Sequence, residues 1–175
     1  MMNKNYFELI LQSIKAGDQI GGPFELANIF SESLHSNNGF NEDHLRSRYL
    51  SWWEKDAFDT GPTYASVFTK IDKGMDPKKA VKRVHEEFGF NTAGCGPAHR
   101  ASPLAGMLNI PNDQLITIAR QEAKITHFDA DAGNGSAIVI LLCRYLLEGK
   151  SFKEAQHLIS IDKDLKDSWI KLQNA

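Results

Sequence analysis

Residues 113–155, DQLITIARQEAKITHFDADAGNGSAIVILLCRYLLEGKSFKEA, decide the fold. Asp113 can open a helix running to about Thr126, and Asp131 or Asn134 a second one running to Leu147 and stopping at Gly149. Ser151 and Glu154 then stand three apart, the spacing of a capping box for the helix that follows. The same grammar extends outward. Residues 3–16 carry Tyr6, Phe7, Leu9, Ile10, Leu11 and Ile14 at helical period, and Gly17 and Gly21-Gly22-Pro23 interrupt them. A run over 24–34 ends in the turn-rich 35–39, and Asn41 can cap a helix over 42–53. Asp59 or Thr60 starts another reaching about Lys73, and Asp76-Pro77 opens a helix that Gly89 stops. Residues 90–97 read as a glycine-bearing loop, and 162–172 as a last, partly frayed helix. No alternating run is long enough for a strand, and no linker divides the chain. The expectation is an all-α chain forming one compact domain over residues 1–175.

Composition narrows the function without naming it. The chain is 42% hydrophobic and 24% charged, with a formal net charge of -2. Its pI of about 6.3 and interspersed charges argue against a nucleic-acid partner held by bulk charge. The longest apolar run, 137–142, is far short of a membrane span, and the first residues lack the apolar core of a signal peptide. Cys95 and Cys143 lie in different contexts and read as reduced thiols, which suggests the cytoplasm.

Polar clusters gather where helices start or stop. The first is GDQIGGPFE at 17–25, in which Asp18 and Glu25 supply carboxylates and the glycines allow close backbone approach. A second is Asp59-Thr60-Gly61-Pro62-Thr63, at a helix start, where free N–H groups and the dipole favour an anion. A third, GCGPAHRASP at 94–103, can offer successive backbone N–H groups to a phosphate, with Arg100 as a bidentate partner. The fourth, 125–131, holds His127, which can donate to a phosphate or ribose oxygen, and Asp129 and Asp131, which can cap a helix or bind a cation. Each cluster alone reads equally well as turn and capping chemistry.

Their order and spacing resemble the ADP-ribosylglycohydrolase family, an all-helical fold whose nucleotide cleft is built from helix ends. The family's G-D-A-L-G-x-P-x-E pattern is matched by GDQIGGPFE, and its next helix pair by SESLHSNNGFNEDHLRSRYLSWW at 31–53. Its D-x-G-x-T turn is matched by Asp59, Gly61 and Thr63, and its G-N-G-x-x-M-R-x-x-P loop by GCGPAHRASP. Its A-x-x-T-H motif and the long helix after it correspond to 123–155. The resemblance covers about residues 9–158 and implies a compact, orthogonal helical domain of this type, in truncated form.

It also implies a site. Gly94, Cys95 and Gly96 would present N–H groups to a diphosphate, with His99, Arg100 and His127 beside them and Asp129 close by. Asp59 and Glu25 would accept from ribose hydroxyls, with Gly61 and Thr63 in the same turn, and Asp18 would brace the first loop. Phe90 or Phe128 could stack on the base, although core packing suits either ring better. Arg100 reads as exposed, so Arg100→Ala is expected to weaken nucleotide binding and leave the fold intact.

The departures concern metal. Active members hold two ions, usually magnesium, between a T-D-D-T motif and a C-terminal G-G-D-x-D-T motif. Here Glu25 runs straight into Leu26-Ala27-Asn28-Ile29-Phe30-Ser31, and the sequence given ends at Ala175 without the second motif. Asp129-Ala130-Asp131 resembles that second motif but follows Thr126-His127, and Cys95 and His99 replace the loop's usual Asn and Met. The resemblance thus implies binding of ADP-ribose or a related signalling or modified nucleotide, for sequestration or sensing, by a pseudoenzyme without a metal cofactor. Magnesium would enter only if a partner chain or unrecognised ligands completed the site. A working glycohydrolase with Asp59 as general base, and a helical adaptor with a decayed site, are the alternatives. No membrane partner is implied, and homo-oligomerisation stays open.

Overall fold

Helices stop and start where the chain places its caps and glycines. A computed structural model describes residues 4–18 and 20–174; Met1, Met2, Asn3, Gln19 and Ala175 lie outside it. The described residues form α1 (Lys4–Gly17), α2 (Gly22–Asn37), α3 (Glu42–Asp56), α4 (Pro62–Asp72), α5 (Pro77–Glu87) and α6 (Gly96–Arg100). A 3₁₀ turn, Ser102–Gly106, leads to α7 (Asn112–Ala123), α8 (Ala130–Leu147), α9 (Phe152–Ser160) and α10 (Lys166–Gln173). Among the described residues there is no strand, and the fold is all-α.

Asn41, Asp76 and Ser151 cap as their types predict. Their side chains accept from His44 N at 3.0 Å, Lys79 N at 3.0 Å and Glu154 N at 3.3 Å, and Ser151 and Glu154 close the capping box. Gly89 and Gly149 end their helices at φ 63° and 83°. Three caps differ from expectation. The fourth helix is capped by Gly61, because Asp59 sits in left-handed backbone at φ 48° and cannot take a cap's extended geometry. Pro111 rather than Asp113 precedes α7. Of the residues that could open α8, Asp131 and Asn134 lie inside the helix, and Asp129, read above as a possible cap, takes the cap position and accepts from Asp131 N at 3.0 Å. The stretch expected as a loop and its continuation hold α6 and the 3₁₀ turn, too short to show a period.

α8 is the centre of the fold, touching α6, α7, α9, α10 and the 3₁₀ turn. It is long and apolar enough to cross a membrane by length and composition, and its buried residues, among them Ile138, Ile140 and Leu141, face other helices. Gly133 brings α7 against it, since a Cβ there would stand 3.1 Å from Arg120 Cα. Arg144, buried on the same helix, donates to Ala105 O, Ile110 O and Met107 O at 2.8, 3.1 and 2.7 Å, tying the 3₁₀ segment to α8 without a carboxylate. The main core runs from Phe7 and Phe30 through Tyr49, Phe68 and Leu104 to Leu141 and Leu165. A smaller cluster of Val67, Ala80, Val81 and Val84 joins α4 to α5.

Candidate functional site

Glycine-driven contacts build the rim of one cleft. Asp18 accepts from Gly21 N and Phe24 N, both at 2.8 Å, and so braces the entry to α2. Gly22 then lies under the 58–59 turn, where a Cβ would meet Phe58 O at 2.7 Å and Asp59 O at 2.8 Å. Only glycine allows that approach. The contact sets Asp59 at the edge of a cavity of about 400 Å³, within the usual range for small-molecule sites.

Pro23, Leu26, Asp59, Thr60, Gly61, Pro62, Thr63, Tyr64, Gly94, Cys95, Gly96, His99, Arg100 and His127 line this cleft. Thus α2, the turn before α4, the glycine loop and the His127 turn meet there. Of the expected site residues, Asp59, Gly61, Thr63, Gly94, Cys95, Gly96, His99, Arg100 and His127 come together. Asp18, Glu25 and Asp129 do not reach the lining. Asp18 is taken up in bracing the first loop and Asp129 in capping α8, while Glu25 stands half-buried in the first turn of α2. Asp131 pairs with Lys171 in a groove beside α10 that shares Gly94 and Cys95 with the cleft.

The glycine loop is pinned from behind by Ser136 Oγ, which donates to Pro97 O at 3.2 Å. Among the described residues no backbone carbonyl takes up the N–H of Gly94, Cys95 or Gly96. Gly94 keeps room for His127, whose Nε2 would stand in tight contact, 3.2 Å, with a Cβ there.

Arg100 is not the exposed side chain its sequence suggests. It is 1% exposed and forms the inner wall of the cleft. Its Nε donates to Glu122 Oε1 at 2.6 Å and its Nη2 to Thr126 Oγ1 at 2.9 Å, and the rings of Tyr49 and Tyr64 flank it 5.4 and 5.7 Å away. Among the described residues Nη1 has no acceptor, and it lies 3.6 Å from the place of a Gly96 Cβ. Burial opposes the Arg100 cation, but Glu122 and the two tyrosines outweigh it and hold the guanidinium above its ordinary pKa. Burial, with the Glu122 charge behind it, pushes both phenols up. Burial first, and Arg100 second, press the His127 imidazole down to about 3, so the ring is neutral.

The residues behind the wall escaped the motif reading. Glu122 is fully buried, also accepts from Tyr49 Oη at 3.1 Å, and leaves Oε2 unpartnered. A signal for it existed: Leu115, Ala119 and Glu122 share one helix face, and a carboxylate on an apolar face requires a buried partner. Phe90 and Phe128 also depart from expectation. They are 69% and 48% exposed rather than packed in the core, and flank the His85 ring with centroids 5.4 and 5.0 Å away.

The family model for ADP-ribosylglycohydrolase matches residues 16–174. The chain belongs to that family. No curated protein and no solved structure matches it. In this ADP-ribosylglycohydrolase-family chain the donors for a metal pair do not fit. Asp59 is the one carboxylate lining the cleft, and among the described residues no group of three or more His, Cys, Asp or Glu side chains gathers to hold an ion.

Proposed function

We propose that this ADP-ribosylglycohydrolase-like cleft binds ADP-ribose or a related nucleotide and holds it, as a sequestering or sensing protein, without metal-dependent hydrolysis. The observation that carries the reading is the convergence of residues 59–63, 94–96, 99, 100 and 127, distant in sequence, on one cavity of suitable size. The glycine loop, Arg100 and His127 all line it, and the loop N–H groups and Arg100 Nη1 are donors of the kind a diphosphate needs. Asp59 at the rim is an acceptor for ribose hydroxyls.

Titration with ADP-ribose, with and without magnesium, tests the reading alongside incubation with an ADP-ribosylated substrate. Stoichiometric, magnesium-independent binding and intact ligand recovered on denaturation are expected. Asp59→Asn should weaken binding by about 1 kcal/mol, because an amide presents donors where an acceptor is needed. Cleaved product in excess over protein defeats the holding role. If Asp59→Asn then keeps binding and loses turnover, Asp59 is the general base of an active hydrolase.

A further inference from the structure

We infer that Thr126, backed by Arg100 and Glu122, sets the hydrogen-bonding polarity of the cleft by holding His127 as an Nε2–H donor, so that the ligand must present a proton-free acceptor beside Gly96. The consequence for the ligand rests on the nucleotide reading above; the assignment of the ring does not.

Thr126 is fully buried and lines no part of the cleft. Its Oγ1 receives Arg100 Nη2 at 2.9 Å and lies 2.7 Å from His127 Nδ1. A guanidinium only donates, so that bond uses a lone pair of the hydroxyl and leaves its proton to be placed. Among the described residues His127 Nδ1 is the one acceptor within its reach. The reverse arrangement, with Nδ1–H donating, would strand a buried hydroxyl proton, which folded proteins avoid. With Nδ1 accepting, the ring proton sits on Nε2.

That nitrogen and Arg100 Nη1 lie 3.9 and 3.6 Å from the position of a Gly96 Cβ. Two donors therefore converge where glycine leaves room, a geometry that takes a phosphate or carbonyl oxygen. Glu122 acts one step further back, accepting from Arg100 Nε and Tyr49 and so fixing the guanidinium that holds Thr126. Both are positioning residues. The neutrality that burial and Arg100 impose on His127 agrees with a single ring proton.

The test is the ring ¹⁵N spectrum of His127 in the free protein, followed by ADP-ribose titration of Thr126→Ser and Thr126→Val. The wild-type ring should be protonated at Nε2 and bare at Nδ1. Thr126→Ser should keep that pattern and bind as wild type does. Thr126→Val should mix the tautomers and weaken ADP-ribose roughly three- to ten-fold, the loss of one well-aimed hydrogen bond. An Nδ1–H ring in the wild type overturns the inference whether or not ADP-ribose binds. So does a Thr126→Val protein with an unchanged ring spectrum. If Thr126→Val does not fold, the wild-type spectrum still decides. An Nε2–H ring in a protein that ignores ADP-ribose upholds the assignment and removes the nucleotide reading instead.

Discussion

Arg100 stands in the G-x-G loop as if it were a free phosphate ligand, yet its charge belongs as much to the core as to the cleft. Removing it would leave Glu122 buried without its ion-pair partner and already short of a hydrogen bond at Oε2. Arg100→Ala is therefore expected to destabilise the fold by about 3–5 kcal/mol, the usual result of breaking one side of a buried ion pair. Urea unfolding measures it, and a loss under 1 kcal/mol would show the pair to be dispensable. His127 gives a signed pH dependence. Its ordinary value is 6.5 and its folded value about 3, so the unfolded chain binds a proton that the native one refuses between those limits. The stabilisation is complete above pH 6.5 and erodes as pH falls toward 3. In His127→Gln the unfolding free energy should fall less steeply between pH 6.5 and 4, by up to about 1.4 kcal/mol per pH unit. Parallel curves for the two proteins would mean that His127 is protonated in the fold.

At the scale of elements, motifs that bear chemistry are held by residues of neighbouring helices. Arg144 on α8 secures the 3₁₀ segment by donating to carbonyls alone. Arg144→Met would fill the space and strand those acceptors, so a loss of about 3–5 kcal/mol is expected in a denaturant titration. Gly22 does comparable work for the rim. Because backbone oxygens crowd its absent Cβ, Gly22→Ala must push the 58–59 turn off α2. Nucleotide affinity should drop with it, while α2 keeps its helicity by circular dichroism; unchanged affinity would detach the turn from the site. Much of this was legible locally. Asn41, Asp76 and Ser151 are caps that one turn of chain decides, and Gly89 and Gly149 are stops for the same reason. Asp59 was not legible as a non-cap, because its backbone is set by α2 packing beneath it.

For the whole molecule, a ligand that binds only the native state must stabilise it by mass action. ADP-ribose at a hundred times its dissociation constant should add about 2.7 kcal/mol to the unfolding free energy. Magnesium should add nothing further, since the cleft offers Asp59 as its one lining carboxylate. A melting temperature that rises with ADP-ribose only when magnesium is present would contradict the metal-free site. The cleft, at about 400 Å³, lies among α2, α4, α6 and the turn before α8, so such a ligand would clamp segments far apart in the chain.

The sequence by itself determined the all-α class, most helix ends and the family, because caps, stops and motif spacing depend on a few consecutive residues. It also brought forward most of the cleft lining, since those residues occur in ordered motifs. Only the tertiary structure decided what the charges do. Asp18 and Asp129 turn inward to hold their own loops, and Arg100 is drawn into the core by Glu122, which lies in another helix. The direction of a polar side chain depends on which partners desolvation leaves it, and those partners are assembled only when the helices pack.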